Sequence, residues 1–378
     1  MFAMKHFILL IIVSAVFAAA CSPAREPDFT LSGRVMNYRG GKLTLYREDN
    51  LNRKESSEIG TIPIKADGSF SMGFNNEPHL YRLNFFGRKT IDIAIDHGQN
   101  IVIEADAADL ASIMVSGSED TAKLEAYEKF RKESLDRLVV SIRDRIAAIT
   151  DARDPSAQAE LARLGDLEIV NYDRHKDELI DFVQKTMPDS IAAYATTIRW
   201  DGGHNLPVLE SIVQSFASKH PGLAVTKRIQ EKLELIKSNT VGGTVADISM
   251  PDSSGRQIKL SSIKAKFILI DFWASWCPPC RRESPDLVEL YGKYKSQGFE
   301  IYGVSLDSER SLWLNAIGTD KRTWPNVSTL QEYETPAAFD YSITALPANF
   351  LIDSERKVIA RNLRTHELRA KLESLFGS

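Results

Sequence analysis

Cysteine is scarce: three in 378 residues. So few thiols exclude a fold held together by disulfides, and the lack of a second close cysteine pair argues against a structural zinc site. The seven histidines are dispersed, so no metal is expected. An excess of charge of one sign is missing too. The 47 Lys and Arg against 51 Asp and Glu give a formal net charge of -4, which excludes a strong basic excess to neutralise phosphates; nucleic acid is not an expected partner. No nicotinamide or flavin fingerprint is present, and no bound cofactor is expected. The apolar run from Phe7 to Phe17 is shorter than the about 20 residues that span a bilayer.

That short run reads instead as the core of an export signal covering residues 1–20. Lys5 and His6 precede it and the small residues Ala18, Ala19 and Ala20 follow, just before Cys21. An uncleaved N-terminal anchor is the alternative. The ending resembles a bacterial lipoprotein processing site, although Ala18 stands where a leucine is usual. The resemblance implies that Cys21 becomes the acylated first residue, with residues 21–27 as a tether and the acyl chains holding the protein to a membrane.

Three regions follow. Residues 28–116 carry short apolar or alternating segments separated by turn signals such as Ala66-Asp67-Gly68-Ser69 and Asp96-His97-Gly98-Gln99, the pattern of a small β-sandwich. Near Ser118 the period changes. Leu124, Tyr127, Leu135, Leu138 and Ile142 recur at helical spacing, and residues 117–240 are expected to form a helical bundle or a helical arm. Val241-Gly242-Gly243-Thr244 is a hinge or an entry into the last domain, residues 241–378. There an apolar strand, a helix, a second strand, a hairpin and a closing helix imply a central sheet covered by helices. The expected protein is therefore multidomain, α and β, with an α/β domain at its C-terminus.

The remaining cysteines, Cys277 and Cys280, are separated by two residues. This spacing also occurs at zinc sites, but here the pair follows a buried strand and opens a helix. Free N–H groups and the positive end of the helix favour a thiolate at Cys277. One turn away, Cys280 can resolve a mixed disulfide made by Cys277. Cys277 is expected to be exposed and Cys280 more buried. Pro278 suits a first helical turn, where its missing N–H is not needed; Pro279 stiffens the loop, and Pro285 is expected to bend the helix.

The stretch Ile268-Leu269-Ile270-Asp271-Phe272-Trp273-Ala274-Ser275-Trp276-Cys277-Pro278-Pro279-Cys280-Arg281-Arg282-Glu283-Ser284-Pro285 resembles the TlpA/ResA-like branch of the thioredoxin superfamily. Ala345-Leu346-Pro347-Ala348-Asn349-Phe350 fits the same pattern. The upstream β region resembles the domain preceding such modules in Bacteroidetes lipoproteins. The resemblance implies a thioredoxin-like domain exchanging thiols for disulfides outside the cytoplasm. It implies a cis Leu346–Pro347 bond facing the cysteines, with Leu346 and Pro347 contacting an extended client. It casts Asp271 as a buried acid, raised in pKa by apolar neighbours, that exchanges a proton with Cys280. Glu283 would tune the cysteines or shape the client groove. Trp276 would border the client surface, beside Pro278 and Pro279, while Trp273 packs in the core. Trp324-Pro325 has no assigned chemistry.

The expected activity is protein disulfide exchange in the bacterial envelope. Client disulfides would be reduced, and electrons supplied by a membrane-associated dithiol donor. An oxidase or isomerase uses the same residues; a peroxidase and a redox-regulated lipoprotein adaptor are competing classes. The oligomeric state is not encoded in any motif.

Overall fold

The computed structural model describes residues 26–149, 154–203 and 205–377; the expected export signal and Cys21 lie outside them. Among the described residues no helix is long and apolar enough to cross a membrane.

The first region comprises β1 (Phe29–Met36), β2 (Leu43–Asn50), β3 (Glu55–Ile62), β4 (Ser69–Phe74), β5 (His79–Phe85), β6 (Lys89–Ile95), β7 (Asn100–Asp106) and β8 (Met114–Ser116). They make two four-stranded sheets, ordered β4-β1-β7-β8 and β3-β2-β5-β6. In β7, Ile101, Ile103 and Ala105 turn inward while Asn100, Val102 and Glu104 face out, the period of two that a half-buried strand requires. Leu31, Ile101 and Ile103 from one sheet share a core with Leu45, Leu83 and Ile93 from the other. β1 runs parallel to β7 at an unusually close approach. A Cβ on Gly33 would sit 1.8 Å from the Ile103 carbonyl oxygen, so this pairing needs glycine.

Helices follow: α1 (Glu119–Leu135), α2 (Ser141–Ala147), α3 (Pro155–Thr186), α4 (Ala192–Thr196), α5 (Leu206–Lys219) and α6 (Ala224–Ser238), with a π-helical turn at Asp136–Val140 between α1 and α2. Ser118 caps α1 by accepting the Thr121 N–H at 3.0 Å, and both hydroxyls donate to the Ala94 carbonyl, at 2.7 and 2.9 Å. The cap therefore also fastens α1 to β6. Leu179, Val183, Trp200, Ile212, Phe216 and Ile229 pack together with Leu80 and Ala94 from the back of the second sheet. The helices are a bundle seated on the sandwich. They are not an extended arm.

The last region holds the hairpin β9 (Ser249–Pro251) and β10 (Gln257–Lys259). Then come β11 (Phe267–Trp273), α7 (Pro278–Tyr294), β12 (Phe299–Ser305), α8 (Arg310–Thr319), β13 (Asn326–Val327), α9 (Pro336–Asp340), β14 (Ala348–Asp353), β15 (Val358–Arg361) and α10 (Thr365–Phe376). The sheet order is β13-β12-β11-β14-β15; β11 is central, parallel to β12 and antiparallel to β14. Burial on both faces explains its apolar run, interrupted by Asp271. Ile268, Ile270 and Phe272 enter one core layer, while Leu269 enters the other with Leu287, Leu290 and Leu372. Alternation puts Asp271 on the Leu269 side, beneath α7. Val241–Thr244 is pinned beside β15: the Gly242 N–H donates to the Val358 carbonyl at 2.8 Å, and Val245 to that of Arg356 at 3.1 Å. Asn239 donates to the Asp340 carbonyl at 2.8 Å and Lys232 to the Ser342 hydroxyl at 3.1 Å, so the bundle is docked on the α/β domain.

Candidate active site

β11 ends at Trp273, and the chain turns through Ala274, Ser275 and Trp276 before α7. The Ser275 N–H and hydroxyl both donate to buried Asp307, which fixes this turn against the end of β12. Cys277 is the N-cap of α7, and its sulfur accepts the Cys280 N–H at 3.3 Å. Cys277 and Cys280 are joined in a disulfide. The expected contrast in exposure is not found: Cys277 is 3% exposed and Cys280 2%. The reason is a roof that the sequence does not announce.

A cleft of about 830 Å³ lies over the pair. Trp276, Cys277, Pro278, Pro279, Leu346 and Pro347 line one wall, and the Leu346–Pro347 peptide is cis. The other wall is α3, through Leu161, Ile169 and Tyr172. Gly165 of α3 meets the active-site helix directly; a Cβ there would be 2.2 Å from an Arg282 guanidinium nitrogen. Cys277 opens into this cleft, and Cys280 does not. Trp276 remains 48% exposed, its ring 6.4 Å from that of Tyr333.

Behind the disulfide is a buried polar centre. Asp271 is 5% exposed, but its neighbours are not only apolar. Arg322, 2% exposed, donates to the Asp271 carboxylate at 2.8 Å, to the Ser284 hydroxyl at 2.8 Å and to the Cys280 carbonyl at 3.4 Å. Its guanidinium carbon stands 3.8 Å from the Trp273 ring centre and 5.6 Å from that of Trp324. The premise of an isolated buried acid is therefore corrected: an opposite charge occupies the space expected to be apolar. Glu283 lies one turn beyond Cys280 and pairs with Arg364 at 3.3 Å. Burial pushes its carboxyl up to about 7, against the opposing pull of Arg364 and with a further upward push from Asp271.

Residues 241–361 match the AhpC/TSA family. The thiol-disulfide oxidoreductase ResA of Geobacillus thermodenitrificans is 33% identical over 141 residues, covering 36% of this chain and 78% of that protein. This chain belongs to the ResA-like thiol–disulfide oxidoreductases. ResA of Bacillus subtilis is 31% identical over 123 residues, 32% of this chain and 67% of that protein. Among solved structures, the thioredoxin domain of a thiol-disulfide oxidoreductase from Bacteroides vulgatus is 33% identical, covering 36% of this chain and 99% of that one, with a TM-score of 0.35.

Within the ResA-like domain, the structure gathers Trp276, Cys277, Pro278, Pro279, Leu346 and Pro347 on one cleft wall. It sets Asp271 and Glu283 outside the lining, behind the cysteines. Sequence reasoning missed Arg322, one of 47 Lys and Arg with no motif around it. Its one local signal is Trp324, whose chemistry now reads as packing: the ring is buried and meets Tyr291 at 5.4 Å. The α3 wall was missed as well. It lies outside the 241–361 match, and nothing in its pattern separates a cleft-lining Tyr172 from ordinary helix surface.

Proposed function

We propose that this ResA-like protein reduces disulfides of client proteins outside the cytoplasm. The Cys277 thiolate attacks a client disulfide, forming a mixed disulfide and releasing one client sulfur as a thiol. The Cys280 thiolate then attacks the Cys277 sulfur, closing the Cys277–Cys280 bond and releasing the second client thiol. Two electrons pass to the client, and a membrane-associated dithiol donor returns them by becoming a disulfide. The observation that carries the order of attack is that Cys277 opens into the cleft while Cys280 lies behind it.

In this scheme Leu346 and Pro347 hold an extended client segment, with Trp276, Pro278 and Pro279 at its edge. Asp271 acts with Arg322 as a positioning pair, since Arg322 also holds the Cys280 carbonyl. Glu283, titrating near 7, is matched to exchanging a proton with Cys280. Acylation at Cys21 would anchor the protein to an envelope membrane as a Bacteroidetes-type lipoprotein, with 28–116 and 117–240 as its accessory domains.

The test is the equilibrium potential of Cys277–Cys280 against glutathione or dithiothreitol, on protein lacking residues 1–21. A value near or below about -250 mV is expected for a reductant, close to thioredoxin at about -270 mV. One above about -150 mV reverses the direction to oxidation.

A further inference from the structure

The active-site cleft does not end at the disulfide. A second cavity, also of about 830 Å³, shares Tyr172, Lys176, Tyr333, Ser342 and Thr344 with it, so the two adjoin along that stretch. Where they meet, three buried or half-buried cations face two carboxylates. Lys176 holds both acids, Asp201 at 2.6 Å and Asp173 at 2.9 Å. Asp201 also accepts from the Gly203 N–H at 2.9 Å and the Thr344 hydroxyl at 3.3 Å. The other two cations are Lys232 and Arg361.

Lys232 lines the second cavity, is 6% exposed, and donates to the Ser342 hydroxyl at 3.1 Å. Arg361 lines the first cavity and donates to the Asn239 carbonyl at 3.3 Å; its buried Nε has no hydrogen-bond partner. Among the described residues no carboxylate makes a direct ion pair with either group; Asp201 acts on both, and Asp173 on Arg361, only at longer range. The acids at the far side of the second cavity are engaged elsewhere, Glu332 with Ser308 and Glu334 with Lys54. Burying a cation without a carboxylate in direct contact is costly; here three cations share two carboxylates, and Lys232 faces the cavity that adjoins the disulfide cleft.

We propose that this junction is a specificity site for a carboxylate side chain carried by the client close to its reactive cysteine. The proposal rests on the disulfide-exchange reading and names the class of client segment. Its register follows from the lining. Leu346 and Pro347 flank Cys277, Thr344 touches Asp201, and Ser342 touches Lys232. The stretch from Ser342 to Pro347 includes a turn at Ser342 and so spans no more than about five extended residues; a client segment lying along it places its acidic residue within about five positions of its cysteine. Burial pushes the Lys232 ammonium down to about 8 against the opposing pull of Asp201, so its charge is only partly compensated.

The experiment uses the full chain, reduced, with peptides that contain one internal disulfide and carry Glu or Gln at each of positions two to five from the cysteine. An aromatic small-molecule disulfide reports exchange without a peptide. At one position the Glu peptide is expected to exceed its Gln counterpart in kcat/KM by about tenfold, the size of a charge-assisted hydrogen bond. Lys232→Met should bring that ratio close to one, and Lys232→Arg should retain part of it. Exchange with a Glu/Gln ratio near one at every position overturns the specificity site alone. So does a preference that survives in Lys232→Met. No exchange with any disulfide overturns the functional reading with it. The wild-type ratio decides the matter even where a variant fails to fold.

Discussion

Two buried cationic centres flank the disulfide, and they are built differently. Behind the cysteines, Arg322 has its carboxylate, Asp271, together with the Ser284 hydroxyl, the Cys280 carbonyl and the faces of two tryptophans. That centre is closed on itself. Where the cavities adjoin, Lys176 makes the direct ion pairs with both carboxylates, and Lys232 has a serine hydroxyl and only the longer-range pull of Asp201. Burial of a charge alone therefore does not say what the charge is for. A saturated centre holds structure in place, while an under-compensated one beside open space can take a ligand.

Deleting each cation should give opposite signs. Arg322→Met strands the buried Asp271 carboxylate and removes a stacked guanidinium, and is expected to cost about 3–5 kcal/mol of unfolding free energy. Chemical denaturation checks it, and a loss below about 1 kcal/mol would contradict a saturated centre. Lys232→Met removes a cation whose burial outweighs the longer-range pull of Asp201 and should stabilise by about 1–3 kcal/mol near pH 7. The pH dependence carries the sign. The folded Lys232 sits at about 8 against an ordinary 10.5, so the unfolded chain binds more protons between those values. Wild-type stability therefore rises through that window, and the advantage of Lys232→Met shrinks to little by pH 10.5. A constant gap from pH 7 to 10.5 would place the effect in packing instead.

The carboxylates offer a smaller version of the same contrast. Glu283 is raised from 4.5 to about 7 by burial despite Arg364, so the folded protein binds the extra proton and stability falls as pH rises through 4.5 to 7. Glu283→Gln should match wild type near pH 4 and exceed it by about 2 kcal/mol at pH 8, a figure discounted for partial exposure. The same substitution should erase an inflection near pH 7 in the rate of disulfide exchange. Loss of the stability difference with the inflection kept would assign the rate effect to another group.

Much of the chemistry was legible because it is local. Cys277, Cys280, Pro278 and Pro279 share one helix start, and the strand before them reads directly from its apolar run. The three-region order follows from a change of period near Ser118. What stayed hidden is contact between distant segments. Arg322 reaches Asp271 across 51 residues, and Lys232 reaches Ser342 across 110; neither leaves a periodic trace. The same holds for the near-equal burial of the two cysteines, which depends on α3 lying over a helix more than a hundred residues later.

Gly165 is where that covering can be probed most gently. A glycine inside a 32-residue helix costs about 1 kcal/mol relative to alanine, so Gly165→Ala should stabilise if propensity alone mattered. Its Cβ would meet the Arg282 guanidinium at 2.2 Å, and the guanidinium must move. That group is the end of a flexible side chain and can move, at a cost of about the same size as the helical gain, so the two terms nearly cancel, within about 0.5 kcal/mol. The docking is expected to respond where the stability does not. With Arg282 pushed from its seat beside Gly165, α3 and α7 lose that contact, and alkylation of Cys277 in the reduced protein should quicken by about two- to fivefold, corresponding to about 0.4–1 kcal/mol of local opening. Unchanged alkylation alongside a full 1 kcal/mol gain in stability would mean that α3 does not restrain access to the cysteine.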